Sequence, residues 1–259
     1  GVVSEAWLGL KQAYWRLRGR VWRPLLHRVR RRREVGLSAE RWRQADVVSV
    51  RGLPHPIHLR PGTTDLAVFE EVFFDRAYPL PSWDVRTVVD CGANAGFVTL
   101  WFLRAYPGAR VVAIEPDPEN WALARKNLEP YGDRVTLLRA AVWPASQHLA
   151  LIRDRHAGAF DSVRVAAIDG AAPDDTVEAL TIPDVMRRAG MSTVDLLKID
   201  IEGAEGPLLR GDTSFLDATR TLMIELHDEE CRDAFRSAIA SRNFRITHRN
   251  NTTIADRPQ

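Results

Sequence analysis

Four short stretches carry residue types that could do chemistry. The first is Val88-Val89-Asp90-Cys91-Gly92-Ala93-Asn94-Ala95-Gly96, an apolar strand running into a glycine loop that opens a helix. Gly92 and Gly96 let the backbone turn tightly and approach a ligand closely. Such a loop suits a nucleotide, and Asp90 bears on which kind. A carboxylate at a strand tip repels a pyrophosphate but attracts a cationic amino group. S-adenosylmethionine carries an ammonium and a sulfonium, so the order acid-x-Gly-x-Asn-x-Gly favours that methyl donor over NAD. Asn94 stands where a glycine is commoner. The second stretch ends in Glu115, 23 residues beyond Gly92, at the tip of Val111-Val112-Ala113-Ile114. A carboxylate there can accept both hydroxyls of a ribose, and Pro116 then turns the chain away. The spacing suits NAD equally, so Glu115 marks an adenosine site without naming the cofactor.

The third stretch, Leu196-Leu197-Lys198-Ile199-Asp200-Ile201-Glu202-Gly203-Ala204-Glu205, puts Asp200 and Glu202 at another strand end, where substrate is expected. In the fourth, Ile224-Glu225-Leu226-His227-Asp228, alternation places Glu225 and His227 on one face, with His227 at the tip beside the Asp200 loop. Glu225 is expected to be structural. Two chemistries suit the other three. A histidine near its operating pH can take a proton from a hydroxyl. Alternatively, Asp200, Glu202 and His227 hold a divalent metal such as magnesium, which orients and acidifies the substrate oxygen.

To bring these stretches together the chain must alternate strand and helix. From residue 87 the apolar patterning predicts strands at Thr87 to Cys91, Arg110 to Glu115, Val135 to Val142, Asp195 to Asp200 and Thr221 to His227. Between and after them it predicts helices at Phe97 to Ala105, Pro118 to Glu129, Ile182 to Ala189, Ala204 to Arg210 and Glu229 to Ser241. Residues 144–180 are poorly patterned, with short strands expected at Leu149 to Ile152 and Ser162 to Ala167. Phe244 to Thr247 and Thr252 to Ile254 are expected to close the domain as a hairpin. Fully apolar strands alternating with helices imply a doubly wound, mainly parallel α/β sheet covered on both faces. Upstream, Val47, Val48 and Val50 turn through Gly52 and Pro54 into Ile57 to Arg60, a small β segment. Thr63-Thr64-Asp65 then suits a helix cap, and Pro79, Pro81 and Trp83 form a linker.

The remaining sequence bounds the possibilities. A chain of 259 residues with 45% apolar content supports one sizeable core plus an extra segment, and 27% charged residues argue against wholesale disorder. No stretch approaches about 18 apolar residues, so no membrane-spanning helix is expected. Cys91 and Cys231 fit no metal spacing and are expected to be free thiols in a reducing cytosol. Because the first residue is Gly1 and not Met, the chain is expected to begin at a truncation or a cloning scar. Residues 1–45 hold twelve Lys/Arg against three acids, a charge of +9, whereas the rest holds 24 bases against 31 acids, a charge of −7. In this leader Trp7, Leu10, Tyr14, Leu17, Val21 and Leu25 recur at helical steps among arginines. It is expected to dock on the acidic body or on a second subunit, with an anionic membrane surface, and then nucleic-acid binding or organellar targeting, as alternatives. The domain division expected is therefore a basic helical leader at 1–45, a cap segment at 46–86 and the cofactor-binding domain at 87–259.

Taken together, Arg60-Pro61-Gly62-Thr63-Thr64-Asp65-Leu66, Asp90 to Gly96, Glu115-Pro116-Asp117, Leu197 to Glu205 and Ile224 to His227 resemble the FkbM methyltransferases over roughly residues 58–230. The most distinctive part is Asp200-Ile201-Glu202-Gly203-Ala204-Glu205. The resemblance implies a class I, Rossmann-like methyltransferase fold and O-methylation of hydroxyls on sugars, polysaccharides or secondary metabolites. It also implies that Thr64 and Asp65 lie over the cofactor, where the residues by themselves indicate only a helix cap. The leader is not part of the pattern. The cofactor set expected is thus Thr64, Asp65, Asp90, Gly92, Asn94, Gly96, Glu115, Pro116 and Asp200. The catalytic or metal-binding set is Asp200, Glu202 and His227, and the acceptor is a small molecule or a glycan rather than a nucleic acid. A cytoplasmic location, peripheral to a membrane if the leader binds one, is the matching expectation. Two other functions fit less well. An NAD-dependent oxidoreductase lacks a full Gly-x-Gly-x-x-Gly loop here, and a degenerate cofactor-binding module does not need Asp90, Glu115 and Asp200.

Overall fold

The computed structural model describes residues 30–31, 33–37, 39–153, 163–167 and 176–258. The leader helix expected over 1–45 falls largely on residues 1–29, outside the described residues. Strands in chain order are β1 (Val47–Val48), β2 (Ile57–His58), β3 (Thr87–Cys91), β4 (Arg110–Ile114), β5 (Val135–Leu138), β6 (Ala141–Val142) and β7 (Gln147–Arg153). They continue as β8 (Val163–Ala167), β9 (Thr176–Leu180), β10 (Val194–Ile199), β11 (Thr219–Glu225), β12 (Arg245–Arg249) and β13 (Thr252–Asp256).

Seven strands form the central sheet in the order β12-β13-β11-β10-β3-β4-β5. β5, β4, β3, β10 and β11 are parallel, and β13 runs antiparallel to both β11 and β12. Strand order reverses between β3 and β10, which makes the crevice above their carboxyl ends the place for a ligand. The alternation of side chains explains the continuous apolar runs. Val88, Val111 and Leu196 pack into the core on one face, while Val89, Val112 and Leu197 pack into the core on the other. The helix Phe97–Ala105, wholly buried over residues 97–103, covers the first face. The helix Pro118–Leu128 starts where Asp117 accepts bonds from the Glu119 and Asn120 amides, with proline in its first turn. Among the described residues no helix is long and apolar enough to cross a membrane.

The structure departs from the sequence expectations in three places. The expected strand Val135 to Val142 is two strands in two sheets. β5 closes the central sheet, whereas β6 pairs with β9 in a four-stranded sheet ordered β6-β9-β7-β8. No glycine or proline interrupts Leu137 to Val142, so nothing in the pattern marks the change of sheet. β9 has no counterpart among the expected strands; it buries Val177 and Ala179 in the small core around Leu149, and Leu180 in the larger core beneath the central sheet. Thr64 does precede a helix, Asp65–Phe69, but makes no side-chain cap, and the helix continues as a π-helical turn over Glu70–Asp75.

Residues just before β1 pack on the body. Trp42 is buried against Phe69 and Phe74, with ring centroids at 5.0 and 5.4 Å, and its Nε1 donates to Glu70 at 2.6 Å. Glu34 is also buried and accepts from Arg104 Nη2 at 2.7 Å.

Candidate active site

A cavity of about 260 Å³ opens at the carboxyl ends of β3, β4, β10 and β11. Its floor is the glycine loop. Gly92 has φ +82°, and a Cβ there would lie 1.8 Å from the carbonyl oxygen of Asp200. Contact between loop and β10 therefore demands glycine before any ligand is considered. Gly92 N and Ala93 N both donate to Ile114 O at 3.0 and 2.9 Å, tying the loop to β4. Asn94 takes φ 50°, a left-handed conformation that asparagine tolerates better than most residues. Gly96 also has positive φ and starts the helix at Phe97, so the second glycine serves the entry into the helix.

Glu115 stands just past the end of β4 with its carboxylate buried at the cavity wall. Oε2 accepts from Asn94 N at 2.7 Å and Oε1 from Asp117 N at 3.0 Å. Burial outweighs these bonds and pushes its pKa up to about 7. A carboxylate held in that condition gains from hydroxyl donors in the cavity.

Asp90 is fully buried and does not line the cavity. Oδ2 accepts from Thr99 Oγ1 at 2.6 Å, and Oδ1 lies 3.3 Å from Lys198 Nζ. The register pairs Lys198 with Asp90 across β10 and β3, which sets them side by side. Lys198 was not singled out from the sequence, although it stands in the third stretch. Its ammonium donates to Gly92 O at 2.6 Å and Cys91 O at 3.2 Å, and lies 3.7 Å from Asp200 Oδ2. Asp90 and Asp200 hold the ammonium pKa above its ordinary value against the opposing cost of burial. One buried cation thus joins the glycine loop to the Asp200 loop from beneath. A lysine inside an apolar strand is the signal that could have found it, because a buried charge needs partners.

Asp200, Glu202 and His227 do come together. One ligand atom from each lies within 4.8 Å of the others. His227 Nε2 is 3.8 Å from Asp200 Oδ1 and 3.6 Å from Glu202 Oε2. His227 Nδ1 meets Glu205 Oε1 at 3.1 Å, which fixes the ring and turns Nε2 toward the two acids. Glu205 is fully buried and also accepts from the amides of Ile201 and Gly203, both at 2.9 Å. It shapes the loop and aims the histidine together, a role not read from the sequence. Glu202 has φ 54°, and burial beside Asp200 pushes its pKa up to about 7. The histidine ionisation expected near an operating pH is displaced: the hydrogen bond to Glu205 chiefly, opposed by burial and helped by the charges of Asp200 and Glu202, pushes it up to about 9. The Tyr78 hydroxyl donates to Asp200 Oδ2 at 3.2 Å. Glu225 lies on the same wall, its pKa raised first by burial and then by Asp200.

The donor set of two carboxylates and one imidazole fits a divalent cation, with Nε2 the nitrogen on offer. Pro116 borders the cavity beside Glu115. Thr64 and Asp65 do not. The segment that covers the cavity contributes Val68, Glu71 and Val72, while Asp65 turns its carboxylate back to Arg60.

Residues 90–246 match the family described as the methyltransferase FkbM domain. The 2-O-methyltransferase NoeI of Sinorhizobium fredii is 27% identical over 192 residues, covering 66% of this chain and 74% of that enzyme. The 31-O-demethyl-FK506 methyltransferase FkbM of Streptomyces tacrolimicus is 26% identical over 218 residues, covering 71% and 84%. The crystal structure of methyltransferase FkbM from Methylobacillus flagellatus superposes with a TM-score of 0.52 at 20% identity, covering 73% of this chain. This chain spans 47% of that protein, and the likeness shows a shared fold. The family implies S-adenosylmethionine as methyl donor. With more than half of its residues inside the family match, on a mainly parallel seven-stranded sheet, the chain belongs to the FkbM methyltransferase domain family and is a methyltransferase of the class I fold.

Proposed function

We propose that the chain transfers a methyl group from S-adenosylmethionine to a hydroxyl oxygen of a sugar, polysaccharide or secondary metabolite. One observation carries the reading: a single cavity has Glu115 on one wall and Asp200, Glu202 and His227 on another. The names of two relatives, a 2-O-methyltransferase and a 31-O-demethyl-FK506 methyltransferase, support oxygen as the acceptor. Bound S-adenosylmethionine would supply an electrophilic methyl on a sulfonium, and a bound divalent cation would supply charge that lowers the pKa of the acceptor hydroxyl.

The residues divide the work. Glu115 accepts the ribose hydroxyls, with Pro116 bordering the adenosine. Gly92 and Asn94 hold the backbone close to the methionine half, and Gly96 opens the helix behind them. Asp90 acts through Lys198, which keeps the loop closed against Asp200. Asp200 faces both the donor and the acceptor. With Glu202 and His227 it would hold the cation, and otherwise His227 takes the hydroxyl proton. Much of the rate then comes from positioning the two reactants in line.

Calorimetry with S-adenosylmethionine, its demethylated product and NAD tests the cofactor, and transfer of a labelled methyl to a panel of hydroxyl acceptors tests the reaction. Label recovered on nitrogen or carbon would overturn the O-methyl assignment. Glu115→Ala is expected to weaken S-adenosylmethionine binding about 10-fold or more, since bonds to a carboxylate contribute about 1.5–3 kcal/mol each. Wild-type affinity in that variant would remove Glu115 from the ribose site.

Metal binding carries its own expectation, read without turnover. His227, with its pKa at about 9, must release a proton to ligate. Between pH 7, above which Glu202 has released its own proton, and pH 9, manganese affinity should therefore rise about tenfold per unit for the one proton displaced from His227, and level off above pH 9. Titration by electron paramagnetic resonance at several pH values checks this. A pH-independent affinity would mean that the histidine is not a ligand.

A further inference from the structure

The motif Arg60-Pro61-Gly62-Thr63-Thr64-Asp65 is the one distinctive stretch that the proposed chemistry does not use. Its acid is buried, yet it faces away from the cavity. Asp65 Oδ2 accepts from Arg60 N at 2.7 Å and Arg60 Nε at 3.0 Å, and Oδ1 accepts from Arg60 Nη2 at 2.8 Å. Thr63 Oγ1 closes the turn, donating to Arg60 O at 2.8 Å and accepting from Asp65 N at 3.2 Å. Two of these three donors belong to the guanidinium and the third is the backbone amide, so the side chain is held as a fork on one carboxylate, and its Nη2 also donates to Asn120 Oδ1 at 2.8 Å.

Asn120 is buried in the first turn of the helix Pro118–Leu128 and forms part of the cavity wall that also holds Glu115. Its backbone amide is already bonded to Asp117 Oδ1 at 2.9 Å, so the residue cannot slide along the helix start. The side chain has one remaining freedom, a flip that exchanges its oxygen and its amino group. Arginine settles that choice. A guanidinium has donors only, so the carboxamide atom that meets it must be the oxygen. The amino group is left as the half available to the cavity, and among the described residues it has no acceptor.

We propose that Asp65 and Arg60 are positioning residues that fix Asn120 as a hydrogen-bond donor to an acceptor atom on the adenosine half of the cofactor. This rests on the reading above that Glu115 receives the ribose. It gives the motif a function at one remove from the ligand. Asp65 sets Arg60, Arg60 sets the face of the amide, and the amide selects for a purine or ribose acceptor at that point. A turn that merely joined β2 to the next helix would need neither the fork-to-carboxylate pair nor the reach to Asn120.

The test is calorimetry with S-adenosylhomocysteine on four proteins: wild type, Asn120→Asp, Asp65→Asn and the double variant. Asn120→Asp preserves size and the Arg60 contact while replacing the amino group by an acceptor. Its affinity should fall about 10-fold, as expected when a buried partner loses its donor. Asp65→Asn should lose about 3- to 10-fold, and the double variant should be no weaker than Asn120→Asp alone, because both act through one amide. Arg60→Lys, which keeps the charge but loses the fork, should lose affinity in the same direction and serves if Asp65→Asn does not fold. Analogues lacking one acceptor at a time (1-deaza, 3-deaza and 7-deaza adenine, 2′-deoxy and 3′-deoxy ribose) identify the atom. Its removal should weaken wild type and leave Asn120→Asp unchanged. Wild-type affinity in Asn120→Asp, or full additivity in the double variant, would overturn the proposal. Failure of the folded wild-type protein to bind S-adenosylhomocysteine would instead sink the cofactor placement on which it rests.

Discussion

Gly92→Ala is expected to destabilise the protein by about 3–5 kcal/mol and to abolish cofactor binding in whatever fraction still folds. Two costs combine. The alanine must adopt φ +82°, which costs an ordinary residue about 1–2 kcal/mol. Its methyl must also occupy a point 1.8 Å from the Asp200 carbonyl oxygen, which is backbone and cannot rotate aside. Relief requires β3 and β10 to part at their carboxyl ends. That strains the bond from Asp200 N to Cys91 O, now 3.1 Å, and the grip of Lys198 on Gly92 O. A chain of this size should lose about 2–4 °C in melting temperature per kcal/mol, so a fall of about 6–20 °C is the readout. Gly203→Ala is the control. Gly203 also has positive φ, +93°, but nothing lies within 4 Å of its added methyl, so only the conformational cost applies. Equal melting temperatures for the two variants would show that the close approach of loop and strand is not what fixes Gly92.

Much of this site was legible because strand ends and strand faces follow from simple periodicity. The apolar runs at 87–91, 110–114 and 194–199 have no polar residue except Thr87, Asp90, Arg110, Asp195 and Lys198, and they form three adjacent parallel strands. Glu115, Asp200 and His227 each follow a strand end, so their convergence needed only the strand order. The spacing of Glu115 from the glycine loop left NAD open, and membership of a methyltransferase family closes it. What sequence did not reveal is which way a strand-tip charge turns. Asp90 looks like a ligand for a cationic cofactor until its neighbour across the sheet is known to be Lys198. Pairing between residues 108 apart in sequence leaves no local trace. Asp65 misleads for a local reason: its cap-like position hides a carboxylate committed to Arg60 five residues earlier. β9 and the change of sheet at Ala141 were invisible for a different reason: a strand of five residues with partial alternation gives too few positions to establish a period.

His227→Ala and Asp200→Asn are each expected to cut turnover about 100-fold, on the scale of losing a general base. The geometry makes these two the largest losses in the cluster. Asp200 receives the Tyr78 hydroxyl, neighbours the Lys198 ammonium and faces His227, so its carboxylate meets groups from three different elements. His227 is held through Nδ1 by a buried carboxylate, and its Nε2 is the one ring nitrogen aimed at the acids. Its two roles separate by pH and chelation. As a base it must be neutral, and a pKa raised to about 9 means that turnover should climb through pH 7 and 8 and level off above 9. Activity should then survive chelation. As a ligand it is already deprotonated in the loaded enzyme, so the climb should shift to lower pH as magnesium or manganese is raised, and chelator should abolish turnover. Glu205→Gln separates aiming from chemistry, because it removes the charge that chiefly holds the histidine protonated while keeping a group of the same size. If His227 is the base, the rising limb should move down in pH in that variant. If His227→Ala keeps full turnover with a verified acceptor, neither role stands and positioning by the cavity is the catalytic device.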